Sequence, residues 1–303
     1  MSDKTAIGWT DATWNPVTGC SKISLGCQHC WAEALSHRYG WTTQPWAMPH
    51  AAANVQVHPD RLDQPLRWRK PRRIFVNSMS DLFHEAVPDA FLDQVFAIMA
   101  MTDRHTFQIL SKRPKRMRQY LTNPETPRRI ADVVLHTAPS HPIYGVRAVD
   151  LYNRSVWPLP NVWLGVSVED QRRAHERIPL LLDTPASIRF LSCEPLLGPL
   201  DLTDFQPFHE TCYCQEEPDG CKPRFAIGCP ETGIDWVIVG AESGPKARPM
   251  NDDWVRSLRD QCQDADVPFF FKQRVAHGKK QLEPVLDDRP WLEFPRVADT
   301  SRQ

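Results

Sequence analysis

The stretch RIFVNSMSDLFHEAVPDAFLDQVFAIMAMTDRHTFQILS, residues 73–111, decides the fold class of this chain. It opens with the run RIFVNSM (73–79) and closes with the run TFQILS (106–111), both nearly continuous in apolar character, as expected of strands that are covered on both faces. Between them, residues 89–103 place apolar side chains at helical spacing. A strand, a helix and a strand in this order predict a βαβ unit with parallel strands.

The same alternation continues along the rest of the chain. Further strands are predicted at residues 161–168, 187–193, 235–240 and 268–273, and further helices at residues 169–183 and 251–267. Asn251 is a suitable N-cap for the last of these helices. Repeated βα units predict an α/β fold. A full or partial (βα) barrel, formed as one domain over residues 1–303, is the leading architecture, and an open doubly wound sheet is the alternative.

Two regions interrupt the alternation. Residues 123–160 carry many prolines and no clear element, so we expect a loop-rich insertion there. We expect a second insertion at residues 204–234, which contain the four cysteines Cys212, Cys214, Cys221 and Cys229. Four ligands in one loop suit a closed structural zinc site, with an auxiliary iron–sulfur cluster as the alternative.

Composition and charge limit the kinds of function. Hydrophobic residues make up 41% and charged residues 24% of the 303 residues, which is typical of a globular chain with a substantial core. The formal net charge of −1 gives no overall attraction to nucleic acid or to a membrane, so any such role depends on local patches. The first residues lack the pattern of a targeting signal, and no apolar run reaches the roughly 18 residues that span a bilayer. We therefore expect a cytoplasmic protein without membrane association, in which cysteines stay reduced.

Three of the nine cysteines are concentrated in WNPVTGCSKISLGCQHCWAE, residues 14–33. Cys20, Cys27 and Cys30 follow the spacing C-x6-C-x2-C, and Cys30 precedes a predicted helix, whose N-terminus favours a thiolate. Three thiolates suit a four-iron cluster with one open iron, whereas structural zinc normally takes four ligands. The residues alone leave open an iron–sulfur cluster, a zinc site completed from elsewhere, and unligated core cysteines. The isolated cysteines Cys193 and Cys262 are expected in the core.

Six segments carry a resemblance to known proteins. They are TWNPVTGCSKISLGCQHCWAE, FVNSMSDLFHE, WLGVSVED, RFLSCEPLLGPLDL, DWVIVGAESGPKARPM and VPFFFKQ, which lie within residues 13–273. In these segments the chain resembles a phage-borne and bacterial protein family of unassigned function. The cysteine loop followed by βα units also resembles the radical S-adenosylmethionine superfamily. That superfamily usually has three residues between its first two cysteines, and this chain has six.

The resemblance to the radical superfamily implies a barrel of that type and specific cofactors. Cys20, Cys27 and Cys30 would hold a 4Fe–4S cluster, and S-adenosylmethionine would bind at its open iron. An electron donor would reduce the cluster, and the cofactor would be cleaved to methionine and a 5′-deoxyadenosyl radical. The cofactor carries the chemistry, and the protein orients it.

Polar residues after the predicted strands are the candidate cofactor contacts. By position in the barrel, the resemblance implies that NSMSD contributes Asn77, Ser78, Ser80 and Asp81, and we add Ser167, Glu169, Gly240 and Glu242 from later strand ends. For NSMSD, the alternative is a strand-to-helix turn in which Asp81 caps locally.

Charged residues near the strand ends are the candidates for catalysis and substrate binding. Glu194, Glu242 and Lys272 are candidate catalytic residues, because a buried carboxylate needs a partner that packing alone does not provide. The alternative is that the two acids pair with Lys272 or Arg248 as structure. Lys112, Arg113 and Arg248 are candidate substrate contacts. The basic runs 67–73 and 112–118 could follow a phosphate backbone or could simply be solvated surface.

Two functions from different classes follow. The first is a radical S-adenosylmethionine-type enzyme that acts on a nucleobase, a nucleotide or a nucleic acid. The second is a non-catalytic, zinc-stabilised nucleic-acid-binding module. Acidic residues at successive strand ends favour the enzyme, because they would repel a polyanion. A metal-dependent hydrolase is disfavoured, because the eleven histidines form no ligand pattern.

Overall fold

The computed structural model describes residues 5–137, 142–205, 233–244, 246–276 and 279–296. The chain divides into two compact units, where the sequence favoured one domain. The first unit comprises Met1–Ser167 and Pro179–Ser187, and the second comprises Val168–Ile178 and Ile188–Gln303.

Within the described residues, eight strands form the main sheets of the two units. They are β1 (Ala12–Trp14), β2 (Arg73–Val76), β3 (Thr106–Ser111), β4 (Val162–Ser167), β5 (Ile188–Cys193), β6 (Trp236–Gly240), β7 (Phe269–Ala276) and β8 (Lys279–Leu282). All six strands predicted from the apolar runs are present. Two strands were not predicted: β1, which has only three residues, and β8, which is polar.

In the first unit, β1, β2, β3 and β4 lie side by side and are all parallel. Thr106 of β3 pairs with Arg73 of β2, and Phe107 pairs with Val162 of β4. Every residue of β4 is buried, as expected of a strand that is covered on both faces. Because the strands are parallel, their carboxyl ends meet at one edge of this sheet.

In the second unit, β5, β6 and β7 are parallel, and β8 returns antiparallel to β7. Every residue of β6 is buried. Phe269, Phe270 and Phe271 at the start of β7 are each no more than 1% exposed, so the apolar run that predicted this strand fills the core.

In the part of the chain that the structure describes, seven longer helices accompany the strands. They are α1 (Trp31–Arg38), α2 (Asp89–Met101), α3 (Pro114–Thr122), α4 (Thr126–Thr137), α5 (Pro142–Tyr152), α6 (Gln171–Leu182) and α7 (Asp252–Asp264). The Asn251 side chain accepts the Asp253 N–H at 2.9 Å, which confirms the predicted N-cap of α7. Parallel strands that alternate with helices confirm the α/β class.

The expectation of a loop-rich stretch over residues 123–160 is corrected, because α4 and α5 lie there. Their prolines, which suggested loops, stand in the first turn of each helix, where a missing N–H costs no hydrogen bond. A buried contact holds α4 in place: Asp93 of α2 accepts hydrogen bonds from Tyr120 at 2.7 Å and from Arg129 at 2.9 Å. The expected insertion at 204–234 lies mostly outside the described residues.

None of the described helices is both long enough and apolar enough to cross a membrane.

The carboxyl of Asp235, just before β6, gives the second unit a pH-dependent stability. Its carboxylate accepts the Arg189 N–H at 2.7 Å. Burial raises the pKa of Asp235 to about 6, although the hydrogen bond and the positive charge of Arg189 oppose the shift. An aspartate whose pKa is higher in the folded state stabilises the fold below its unfolded pKa, and this stabilisation is lost as the pH rises through the folded pKa.

We therefore expect the wild type to lose stability as the pH rises from about 4 to about 6, and Asp235→Asn to lack this loss. The variant should nearly match the wild type at pH 4 and be more stable by about 3 kcal/mol at pH 7, because the pKa of Asp235 rises from its usual value of about 4 to about 6 and one pKa unit is worth about 1.4 kcal/mol. Urea denaturation at the two pH values measures the difference, and Asp60→Asn on the surface of the first unit controls for the change of residue type. An equal effect of Asp235→Asn at both pH values would contradict this assignment.

Candidate functional site

The three clustered thiols line one cavity of about 200 Å³ in the first unit. Side chains from the carboxyl ends of β2, β3 and β4 line the same cavity. The full lining is Cys20, Ser21, Lys22, Cys27, Cys30, Ala32, Trp46, Phe75, Asn77, Ser78, Ser80, Asp81, Leu110, Ser111, Lys112, Arg113 and Ser167. The structure thus brings together the predicted metal ligands, the predicted NSMSD contacts and three residues predicted from later strand ends.

The cysteine loop reaches the cavity through a tight crossing at Gly19. The chain leaves β1, forms a short antiparallel pair between Val17–Thr18 and Gln56–Val57, and turns at Gly19, which has a φ of +80°. A Cβ on Gly19 would stand 1.8 Å from the Asn54 carbonyl oxygen, so only glycine fits. The Gly19 N–H donates to the Met79 carbonyl at 3.0 Å, which fixes the loop to the residues after β2.

The cysteines differ in their electrostatic surroundings. Burial raises the pKa of Cys20 to about 12, although the positive charge of Arg113 opposes this rise. Burial also acts to raise the pKa of Cys27, but the charge of Lys112 and hydrogen bonds with Ile23 and Ser24 outweigh it, and the pKa is lowered. Cys27 is therefore the most readily ionised of the three thiols.

Cys30 is the N-cap of α1, which confirms its predicted place before a helix. Burial nevertheless raises its pKa, and hydrogen bonds with the Glu33 and Ala32 backbone and the charge of Lys112 only partly offset this effect. The helix N-terminus alone predicted a thiolate at Cys30. This expectation is corrected for the free thiol: burial, which the sequence does not reveal, raises its pKa and favours the protonated form. Ala32, Trp46 and Met79 form the small apolar cluster that packs against Cys20 and Cys30.

Asn77 brings a buried amide to the cavity lining. It is 2% exposed and has a φ of +62°, a conformation that asparagine tolerates better than most residues. Its Oδ1 atom accepts the Val17 N–H at 3.2 Å. Its Nδ2 atom is buried and has no hydrogen-bond partner among the described residues. Such a buried donor is costly unless a ligand accepts from it.

The other members of NSMSD are held within the first unit. The Ser78 hydroxyl donates to Asn15 at 3.2 Å, and the Ser80 hydroxyl donates to the Val17 carbonyl at 2.9 Å. Asp81 accepts the Phe83 N–H at 3.1 Å, as the local-cap alternative proposed. It also accepts from the Ser111 hydroxyl at 2.8 Å.

Asp81 further binds the two basic residues that follow β3. Its Oδ2 atom accepts the Lys112 N–H at 2.9 Å and a guanidinium N–H of Arg113 at 3.2 Å. The Lys112 ammonium donates to the Ser167 hydroxyl at 2.9 Å, at the end of β4. Lys112 and Arg113, which the sequence offered as substrate contacts, thus lie beside the thiols.

The remaining basic residues of the two runs are mostly paired within the first unit. Arg67 pairs with Asp63 and Arg73 with Asp11, and the Arg72 guanidinium lies 5.1 Å from the centre of the Trp68 ring. In the second run, Arg116 pairs with Asp89 and Arg118 with Asp183. These contacts indicate that many basic side chains of the two runs stabilise the first unit rather than bind a ligand.

The predicted acidic residues Glu169 and Glu242 lie in the second unit, and both form ion pairs there. Glu169 is fully buried and accepts from Arg177 at 2.8 Å. Glu242, which is 5% exposed, accepts the Arg248 Nε–H at 2.9 Å and the Arg248 backbone N–H at 3.0 Å. The ion pair between Glu242 and Arg248 is the structural pairing that the sequence analysis gave as the alternative to a catalytic role.

Glu194 and Lys272 also pair in the second unit, where the Lys272 ammonium lies 3.0 Å from Glu194 Oε2. The Ser192 hydroxyl donates to the same oxygen at 3.3 Å. The other oxygen, Oε1, is buried without a hydrogen-bond partner in the described part of the chain. A Cβ on Gly240 would stand 2.6 Å from this oxygen, so the glycine makes room for the carboxylate.

The two sets of cysteines predicted to bind metal stay predictions. Cys212, Cys214, Cys221 and Cys229 lie outside the described residues. Within residues 5–137, 142–205, 233–244, 246–276 and 279–296, no group of three or more His, Cys, Asp and Glu side chains stands ready to hold a single metal ion. Cys193 and Cys262 are buried, as predicted for core cysteines.

Sequence reasoning missed the support around Cys20. The Arg113 guanidinium donates to the Cys20 sulfur at 3.4 Å, and the Ser21 hydroxyl lies 2.8 Å from His84 Nε2. Burial lowers the pKa of His84, and the positive charge of Arg113 adds to the effect. These partners are more than sixty positions away from the loop in the chain, so no local pattern could reveal them.

We expect Gly19→Ala to destabilise the first unit by about 2 to 5 kcal/mol, because a positive φ costs a non-glycine residue about 1 to 2 kcal/mol and an overpacked contact costs about 1 to 3 kcal/mol. The matched control is Gly40→Ala, which has a φ of +67° but nothing within 4 Å of the added Cβ. Gly40→Ala should lower the free energy of unfolding only by the cost of the positive φ, about 1 to 2 kcal/mol. Chemical denaturation of both variants separates the two contributions, and equal losses would refute the steric part.

Comparison with protein families supports one of the two expected resemblances. A family model matches residues 4–295 of the chain. No curated protein and no solved structure matches the chain significantly. The family match agrees with the expected family of unassigned function and provides no support for the radical superfamily. Because it covers nearly the whole chain, this chain belongs to the family described as Protein of unknown function (DUF5131).

Proposed function

We propose that this chain is an iron–sulfur enzyme of the radical S-adenosylmethionine type, acting on a nucleobase, a nucleotide or a nucleic acid. One observation carries the proposal: Cys20, Cys27 and Cys30 line one cavity together with polar side chains from the ends of β2, β3 and β4. Parallel strands gather functional groups at their carboxyl ends, which is where this cavity lies.

The residues present fit a 4Fe–4S cluster and S-adenosylmethionine. Three thiols provide the soft sulfur ligands that iron–sulfur clusters take, and three ligands leave one iron open. The unpartnered Nδ2 donor of Asn77 suits a ligand with an acceptor oxygen. When bound, the reduced cluster supplies the electron that cleaves S-adenosylmethionine to methionine and a 5′-deoxyadenosyl radical.

The cavity side chains have separate tasks in this proposal. Cys20, Cys27 and Cys30 hold the cluster, and Asn77, Ser78, Ser80, Asp81 and Ser167 surround the cofactor. The Lys112 ammonium has three N–H groups and, among the described residues, donates one hydrogen bond, to Ser167, so it keeps N–H groups for an anionic group of the ligand. Because four donors already occupy Asp81, its task is to hold the end of β3 in place.

The wider proposal includes fold, partners and surroundings. The parallel βα repeats of each unit support a full or partial (βα) barrel of the radical-superfamily type. The enzyme would need an electron donor and a cytoplasmic setting in which thiols stay reduced. The exposed Arg69 and Lys70 support a phosphate-bearing substrate, although their neighbours in the run are used in contacts within the unit.

In the second unit, we propose catalytic tasks for Glu194, Lys272 and Glu242. Lys272 pairs with Oε2 of Glu194, and Oε1, which has no hydrogen-bond partner among the described residues, could accept an N–H or O–H of the substrate. Glu242 holds Arg248, which limits how freely Arg248 can bind substrate. Cofactor contacts at Glu169, Gly240 and Glu242 belong to the same proposal.

We expect anaerobic reconstitution with iron and sulfide to give a brown protein with about four irons per chain, as a 4Fe–4S cluster requires. Cys27→Ala should lose the colour and most of the iron, because it removes one of three ligands. Cys262→Ala is the matched control, because it removes a buried thiol in α7 outside the cavity and should keep the cluster.

The same preparations decide between the two functions. A colourless wild-type protein that holds stoichiometric zinc would overturn the enzyme and favour the nucleic-acid-binding module. With the cluster in place, S-adenosylmethionine and a reductant should yield 5′-deoxyadenosine, measured by chromatography. A stable cluster without this product would refute the radical chemistry alone.

A further inference from the structure

We propose that Arg113 is a positioning residue for the cluster ligand Cys20, and that its guanidinium raises the reduction potential of the cluster. This inference rests on the proposed function, because it requires a cluster on Cys20. It also replaces the substrate-binding role that the sequence suggested for Arg113.

All five N–H donors of Arg113 are used within the first unit. Nε donates to Glu85 at 2.9 Å, one terminal nitrogen donates to Cys20 Sγ at 3.4 Å and Asp81 at 3.2 Å, and the other donates to the carbonyl and the hydroxyl of Ser21, both at 3.0 Å. A guanidinium has five donors and no acceptor. Arg113 is also only 5% exposed. The side chain therefore has neither a spare donor nor the exposure that substrate binding requires.

The contacts of Arg113 join the cysteine loop to the sheet. Arg113 directly follows β3, and its N–H donates to the Ser111 hydroxyl at 2.8 Å. Asp81 accepts from Ser111, Lys112 and Arg113 together. Since the guanidinium reaches Cys20 and both acceptor oxygens of Ser21, the position of the first ligand is set by the end of β3.

Charge balance makes this arginine difficult to replace. Asp81 and Glu85 offset the cost of burying the guanidinium, and its charge also attracts the Cys20 sulfur. Without Arg113, two carboxylates would remain beside an anionic, thiolate-bound cluster. The loss of this side chain should therefore weaken cluster binding even if the loop keeps its fold.

The Arg113 hydrogen bond should also affect the electron affinity of the cluster. Hydrogen bonds to ligand sulfurs and nearby positive charge stabilise the reduced state, which carries one more negative charge. Arg113 supplies both at Cys20. Lys112 differs, because its ammonium donates to the Ser167 hydroxyl and contributes positive charge near the thiols.

The test compares Arg113→Gln with Arg113→Lys and Arg116→Gln. Arg116 is the matched control: it stands one helical turn further along and binds the same segment through the carbonyls of His84 and Val87, yet it does not line the cavity. For Arg113→Gln we expect a reduction potential below that of the wild type, measured by a redox titration followed by electron paramagnetic resonance. We also expect a cluster affinity about 10- to 100-fold weaker, measured by competition with an iron chelator.

Arg113→Lys should recover part of the potential, because it keeps the charge but loses the planar fork, and Arg116→Gln should leave the potential unchanged. If Arg113→Gln fails to fold, as judged by circular dichroism, the reduction potentials of the wild type and of Arg113→Lys still test the proposal. An Arg113 variant with wild-type potential and chelator resistance would overturn the positioning role while leaving the proposed enzyme intact. A wild-type chain that binds no cluster would overturn both.

Discussion

The buried ion pair between Arg113 and Asp81 is the interaction on which the candidate site depends. The two side chains meet at 3.2 Å and are almost fully buried. Asp81 fixes the end of β3 through Ser111 and Lys112, and Arg113 fixes the start of the cysteine loop through Cys20 and Ser21. A buried pair of this kind need not add much stability, but losing one partner leaves an uncompensated charge. The pair therefore ties the position of Cys20 to the end of β3.

The two units use buried charge in different ways. In the first unit, the Arg113–Asp81 pair lies in the lining of a cavity that Asn77 also lines, and the Asn77 Nδ2 donor has no hydrogen-bond partner among the described residues. In the second unit, the pairs Glu169–Arg177 and Glu242–Arg248 satisfy each carboxylate locally. Glu194 has both features: Oε2 pairs with Lys272, and Oε1 is buried without a hydrogen-bond partner in the described residues. Asn77 Nδ2 and Glu194 Oε1 are thus two buried groups just after strands β2 and β5 that have no hydrogen-bond partner among the described residues.

The fold was predictable wherever the signal was local. Continuous apolar runs located all six predicted strands, and helical spacing with Asn251 as N-cap located α7. The helices α4 and α5 were missed because their prolines read as loop signals, whereas their stability comes from tertiary contacts such as Asp93 with Arg129. The cysteine spacing identified the candidate site. The burial of Cys30 and the reach of Arg113 to Cys20 depend on residues brought together only by the fold.

The close approach of Gly240 to the Glu194 carboxylate couples the evolution of these two positions, at the end of β6 and just after β5. Because the glycine leaves room for an oxygen that would otherwise be 2.6 Å from a Cβ, the two positions cannot change independently. A relative with alanine or serine in place of Gly240 would need a shorter residue in place of Glu194. Covariation between these two columns, in an alignment of the family, is the evolutionary trace that this packing should leave.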